Sequence, residues 1–283
     1  MTVLYKRKAE VIIGTLGSTG KSFDNLRVSF EIEMDDRKET NSAKISIYNL
    51  AQDSLGLLDQ ENVSVILKLG YGNNNDLSIV FIGDVVVYET TLDDADTITK
   101  ITLKDGYIPL TQRFLSLSFP SNVTTRQIIT KIINDLNLTK DNYSALPNYV
   151  YKQGFSFGGA PSKALTIVLD RIGYEWAIIN NVLTITKPNQ SNKTTVAQFL
   201  SLKTGLKESP KRFKEQQANT RSRTDAIVNG WRILCSIIPS IVPKNLIKVE
   251  SETANGIFIV RSVKMQGDTE GDDWDCEIKA TQQ

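Results

Sequence analysis

The chain has 283 residues, of which 40% are hydrophobic and 23% charged, so it can bury a sizeable core across one to three domains. Lysine and arginine number 33 against 32 aspartates and glutamates, and a net charge of +1 excludes the polycation that binds nucleic acid or a membrane surface through excess charge. There is no histidine, which removes Ser-His-Asp and Cys-His nucleophile systems and every zinc site that needs imidazole.

The first hundred residues read as strands. Leu26, Val28, Phe30, Ile32 and Met34 alternate with polar residues, and Ala43, Ile45 and Ile47 resume the alternation after a polar turn over Asp35–Thr40. A short helical turn fits Gln52–Asp59. Val63–Leu69, Ile79–Tyr88 and Ile98–Leu103 are further strands, with a loop at 70–75 and a polar turn over Leu92–Asp96. This pattern predicts a mostly antiparallel, barrel-like or sandwich-like β domain.

After about residue 120 the period changes. Thr124 and Thr125 can cap a helix whose Ile128, Ile129, Ile132, Ile133 and Leu136 form one apolar stripe. Phe155–Phe157 suits a short strand. Pro161 suits the first turn of a second helix, with Ala164, Leu165, Val168, Leu169 and Ile172 inward and Gly173 just past its end. Trp176–Ile179 and Val182–Ile185 make a hairpin about Asn180-Asn181.

Residues 203–229 are basic, polar and poor in apolar anchors. They read as a long exposed loop, either solvated or ordered against another subunit. Strands return at Ile233–Ile238, Leu246–Val249, Ile257–Lys264 and Trp274–Ala280. A faint repeat at an ungapped offset of 177 joins the β regions, setting Phe81 on Phe258, Val86 on Val263, Asp96 on Asp273 and Ile101 on Ile278. The fold class expected is therefore mainly β with an α/β insert: a β domain at 1–111, an α/β domain at 112–190 and a second β domain at 191–283.

Several motifs suggest chemistry and fall short of it. Val11–Ser22 ends in Gly-Lys-Ser, but Thr15 stands where a phosphate-binding loop needs glycine and a strand follows instead of a helix; a glycine-bearing hairpin loop fits better. Asp268, Glu270, Asp272, Asp273, Asp275 and Glu277 crowd one turn without the ligand order of a calcium loop, which reads as a solvated turn. Trp176, Trp231 and Trp274 read as core anchors, and Cys235 and Cys276 as buried small hydrophobes too few for a disulfide framework. No signal-peptide pattern and no apolar run of about 18 residues is present, so a cytoplasmic site of assembly and no membrane insertion are expected. No cofactor, metal or catalytic set is predicted.

Three segments carry a resemblance: Leu26–Leu50 with its Ile-Ser-Ile-Tyr-Asn-Leu ending, Phe155–Ile185 as strand, glycine turn, helix and Trp hairpin, and Gly256–Ala280 with its Gly-Asp-Thr turn and Trp274. In that order they span nearly the whole length. The chain resembles the late-control-protein-D-like family of tailed-phage baseplate hubs, which includes the hub of phage Mu. The resemblance implies two tube-protein-like antiparallel β-barrel domains flanking a small α/β domain, and a homotrimer whose six β domains form a quasi-six-fold ring. It implies a structural part of the virion tail baseplate that adapts a hexameric tail tube to a trimeric spike while DNA passes without specific binding. The partners implied are a spike or tip protein, the tail tube or its initiator, and the tape measure and wedge proteins. The hub of a related contractile injection machine, a β-rich binding module and a carbohydrate-active enzyme are the alternatives. Within 207–223 six basic residues, Lys207, Lys211, Arg212, Lys214, Arg221 and Arg223, outnumber Glu208 and Glu215; with only Phe213 as aromatic, they are candidate assembly contacts and not a nucleic-acid surface.

Overall fold

A computed structural model describes residues 6–15, 19–36, 40–72, 77–140, 146–191, 196–217 and 226–283. The first β region contains β1 (Arg7–Thr15), β2 (Lys21–Phe23), β3 (Val28–Asp35), β4 (Ser42–Tyr48), the short helix α1 (Gln52–Leu55), β5 (Val63–Tyr71), β6 (Ser78–Asp93) and β7 (Asp96–Lys104). The alternation read from the sequence is the burial pattern of these strands: Val28, Phe30, Ile32 and Met34 of β3 face the core, as do Ala43, Ile45 and Ile47 of β4. β6 runs through Asp93, into the polar turn expected at Leu92–Asp96. The turn is only two residues, with Asp94 in the left-handed region at φ 51°.

A π-helical turn at Ile108–Gln112 opens the insert, followed by β8 (Leu115–Phe119), β9 (Val123–Thr124), α2 (Thr125–Leu136), β10 (Thr139–Lys140), β11 (Val150–Tyr151), β12 (Phe155–Gly159), α3 (Pro161–Asp170), β13 (Glu175–Ile179) and β14 (Val182–Thr186). Thr124 caps α2 in a capping box with Gln127, and Asn137 closes the helix in the left-handed conformation. The apolar stripes of α2 and α3 pack with Trp176, Ile178 and Leu183 into a core separate from that of the β regions. Among the described residues no helix is long and apolar enough to cross a membrane.

The last region holds β15 (Val196–Leu200), β16 (Lys211–Gln217), β17 (Ala226–Ser236), β18 (Leu246–Glu250), β19 (Asn255–Asp268) and β20 (Trp274–Gln282). The loop expected over 203–229 is corrected: its residues 211–217 form β16, paired along its length with β17. Lys-Arg-Phe-Lys-Glu-Gln-Gln has no apolar alternation because it lies at the end of the sheet, where backbone pairing, not burial, fixes the strand.

Both β regions share one 13-stranded sheet, in the order β16-β17-β20-β19-β3-β4-β7-β6-β5-β1-β2 with β18 branching from β19 and β15 from β18, and one hydrophobic core. Five strands of each region repeat the same connectivity. In chain order β3, β4, β5, β6 and β7 lie in the sheet as 3-4-7-6-5, and β16 to β20 lie as 16-17-20-19-18. Each long hairpin carries a bulge, between Val85 and Val87 in one and between Val260 and Ser262 in the other. The ungapped offset therefore needs amending. Ile101 falls on Ile278 as expected, but the bulges set Val85 on Val260, because the second hairpin's turn (269–272) is two residues longer than the first (94–95).

The two repeats meet where β19 pairs with β3, from Ser262 opposite Asp35 to Asp268 opposite Ser29. The distal half of β19 and β3 thus cover each other, while the proximal half of β19 pairs with β18. Polar contacts at several places tie the regions together. At the β19–β3 seam Arg27 grips Asp268 through two hydrogen bonds, 2.8 and 3.2 Å, while Arg7 donates to the Gly271 and Asp272 carbonyls at 2.7 and 3.1 Å. Beside the insert, Asp36 accepts an ion pair from Arg261 at 2.9 Å and lies 3.1 Å from the buried ammonium of Lys244, with Glu175 of β13 4.0 Å beyond. Under the insert hairpin, the buried Asp105 accepts the backbone N–H groups of Asn180 and Asn181 at 2.6 and 2.8 Å.

Candidate assembly surface

The basic segment is built on β16. Lys211, Arg212 and Lys214 are exposed, and residues of one parity point to the opposite face from the other. Arg212 lies 5.0 Å over the ring of Trp231, its opposite neighbour on β17, so Trp231 is half-buried, packed against the core as expected and covered by Arg212. Lys211 bonds Glu208 at 2.8 Å, and Glu215 is taken by Lys279. Lys207 stands apart, bonded to Asp275 and the Trp274 carbonyl at the far end of β20. The structure therefore brings Lys211, Arg212 and Lys214 together on one strand and leaves Lys207 out; Arg221 and Arg223 lie outside the described residues.

A second surface was not legible as such. Beyond Asp84, where β5 stops pairing, β6 continues to Asp93 with β7 as its one partner strand among the described residues. Val87 and Leu92 on this stretch are 57% and 76% exposed. Glu89, Asp93 and Asp94 make it acidic. Its signal in the sequence was an apolar alternation that ran on into acids.

The other motifs have structural duties. Lys21 donates to Ser54 at 2.9 Å and Ser22 to Glu10 at 2.6 Å, across the β1–β2 hairpin and onto α1, so the Gly-Lys-Ser sequence belongs to that hairpin. The acidic turn is exposed at Glu270, Asp272 and Asp273, as expected, but it is anchored at its start. Its Asp268 is held below the ordinary carboxylate range, first by Arg27, and it also accepts the Glu270 and Gly271 N–H groups. Cys235 and Cys276 are free, buried and directly opposite on β17 and β20. The Cys276 thiol is pushed up by its hydrogen bond with Cys235 and by burial. Neither thiol should react with a maleimide in the folded protein, and intact-mass measurement before and after denaturation checks this.

Asp105 was not singled out from the sequence, where an isolated aspartate after a strand carries no pattern. Burial pushes its carboxyl up to about 7, against the two backbone donors. A carboxyl raised in the folded state above its unfolded value near 4 makes stability fall as pH rises from about 4 to about 7, by at most ~1.4 kcal/mol per pH unit. The stability difference between wild type and Asp105→Asn should carry this slope; a difference independent of pH would contradict it.

The family described as baseplate hub gp41 matches residues 34–213, more than half of the chain. The chain belongs to the baseplate hub gp41 family. It is a structural protein of the phage tail baseplate. The hub also shares its fold with solved structures at low identity. The 43 kDa tail protein of prophage MuSo2 from Shewanella oneidensis is similar at TM-score 0.64 and 13% identity, over 97% of this chain and 98% of that one. A tail protein from Neisseria meningitidis MC58 is similar at 0.65 and 10%, over 96% of each chain. The E. coli c3393 protein, a type VI secretion component described as structurally similar to the phage T4 tail proteins gp27 and gp5, is similar at 0.60 and 10%, over 96% of this chain and 76% of that one. No curated protein sequence matches the hub.

Proposed function

We propose that the hub forms a trimeric ring that adapts the hexameric tail tube to a trimeric central spike and surrounds the path of the DNA. The observation that carries this reading is the repeated five-strand connectivity. One chain offers two equivalent β units, so three chains offer six, and one ring can present six-fold symmetry to a tube and three-fold symmetry to a spike. In this reading residues 1–111 and 191–283 are the tube-like units and 112–190 the insert, which stands on Asp105 and Glu175 at their margin. The work is mechanical: to hold, seal and let pass. Its partners are further copies of itself, the spike or tip protein and the tube or its initiator, with tape measure and wedge proteins nearby.

The likeness to a type VI secretion component favours a second use of the same ring, in a contractile injection machine without DNA. Imaging of intact tails by electron cryo-microscopy decides the placement. Three copies between tube and spike are expected; this chain elsewhere in the particle, or in another copy number, would overturn the proposal.

A further inference from the structure

Among the strand edges without a partner strand in the described residues, two are long: the outer side of β16, at one end of the sheet, and the distal half of β6, Val85–Asp93. They carry opposite charge. β16 exposes Lys211, Arg212 and Lys214, whereas distal β6 carries Glu89 and Asp93 and runs into Asp94. An edge with Val87 and Leu92 exposed as they are is a pairing template left bare.

The repeat states what belongs there. β6 is the counterpart of β19, and β16 is the counterpart of β3. Within the chain the distal half of β19, past its bulge, pairs antiparallel with β3. The same two positions in the other order, distal β6 and β16, are both without a partner strand among the described residues. One chain cannot join them to each other without closing the whole sheet on itself, but a second copy can take up each edge.

We propose that distal β6 of one protomer pairs antiparallel with β16 of the next, repeating between copies the β19–β3 seam found within each. This rests on the ring reading above and specifies its interface. The register follows from the strands already paired. Val85 aligns with Val260 and Ile101 with Ile278; through the β4–β7 and β17–β20 pairs Ile45 aligns with Ile233, and through β3–β4 and β16–β17 Phe30 aligns with Pro210. Carried onto the new seam, this sets Val87 opposite Glu215, Glu89 opposite Phe213 and Thr91 opposite Lys211.

The charges then fall into place. Within the chain Lys264 of β19 reaches Glu31 and Glu33 of β3 at 2.5 and 3.0 Å. In the seam between copies Glu89 stands where Lys264 does and Lys211 stands where Glu31 does, so the same cross-strand ion pair forms with its signs exchanged. The exchange also guards against mispairing: Glu89 offered to β3 would meet Glu31 and Glu33, and Lys264 offered to β16 would meet Lys211. Lys211 exchanges its local partner Glu208 for Glu89 on assembly. The contact is heterologous, head to tail, and closes only as a ring.

The test is charge exchange in the full chain, with mass read by sedimentation across a concentration series and fold read by circular dichroism. Glu89→Lys and Lys211→Glu should each weaken self-association at least about tenfold while leaving the spectrum unchanged, and the double variant should recover most of the loss. Trimers of wild type together with single variants that associate as tightly would overturn the seam and leave the ring standing. Single variants that dissociate without recovery in the double would show that these residues do not face each other, again overturning the register. Wild type that stays monomeric at every concentration would overturn the ring reading itself.

Discussion

Replacing Trp274 with alanine is expected to lower the unfolding free energy by about 3–5 kcal/mol. The side chain is buried and opens β20, where both β regions meet. Its ring meets Phe30 of β3 edge-on at 5.4 Å and Tyr71 of β5 at 6.2 Å, with Arg7 stacked 5.5 Å from it. Its indole N–H donates to the Tyr71 hydroxyl at 2.9 Å, and that hydroxyl donates to the Ile237 carbonyl at 2.7 Å. Gly267 fits this packing because it is bare: a Cβ there would stand 2.5 Å from Phe30 and 2.8 Å from Trp274. Trp274→Phe keeps much of the packing and loses the hydrogen bond, so its loss should be clearly smaller. Denaturant unfolding checks both; a loss under about 1 kcal/mol for the alanine variant would contradict this account of the core.

The Asp36→Ala variant is the second large loss, about 3–5 kcal/mol, because it strips the counter-charge from a buried cation. Lys244 is 2% exposed, and its ammonium has Asp36 at 3.1 Å as its near partner, with Glu175 only at 4.0 Å. Arg261 loses the same carboxylate but keeps Asn189 and Thr281. Adding Lys244→Met removes the stranded charge at similar volume, so the double variant should regain most of the stability. A double variant no better than Asp36→Ala would show that the cost lies elsewhere.

How far the sequence disclosed this fold depends on what fixes each element. Strands with one buried face announced themselves by alternation, as β3 and β4 did, and both long helices through stripes, caps and the Pro161 start. The Asn180-Asn181 turn was legible because both residues take positive φ, 53° and 62°. β16 was not, because a strand wet on both faces has no period to read. The joining of the β regions was also hidden. Nothing local in Leu26–Met34 says that its partner is 230 residues away, and a paired strand alternates much as an edge strand does. The repeat was read without a gap although the two turns differ by two residues, so its second strand was placed correctly and its first two residues out. Of the candidate contacts, Lys211, Arg212 and Lys214 proved to share one strand, while the acidic stretch on β6 was read as a turn because its alternation ends in aspartates.

The most direct test of the central claim is the native mass of the purified 283-residue chain. Native mass spectrometry should give an assembly of three 31.6 kDa chains. A monomer, or a dimer of like faces, would contradict the ring.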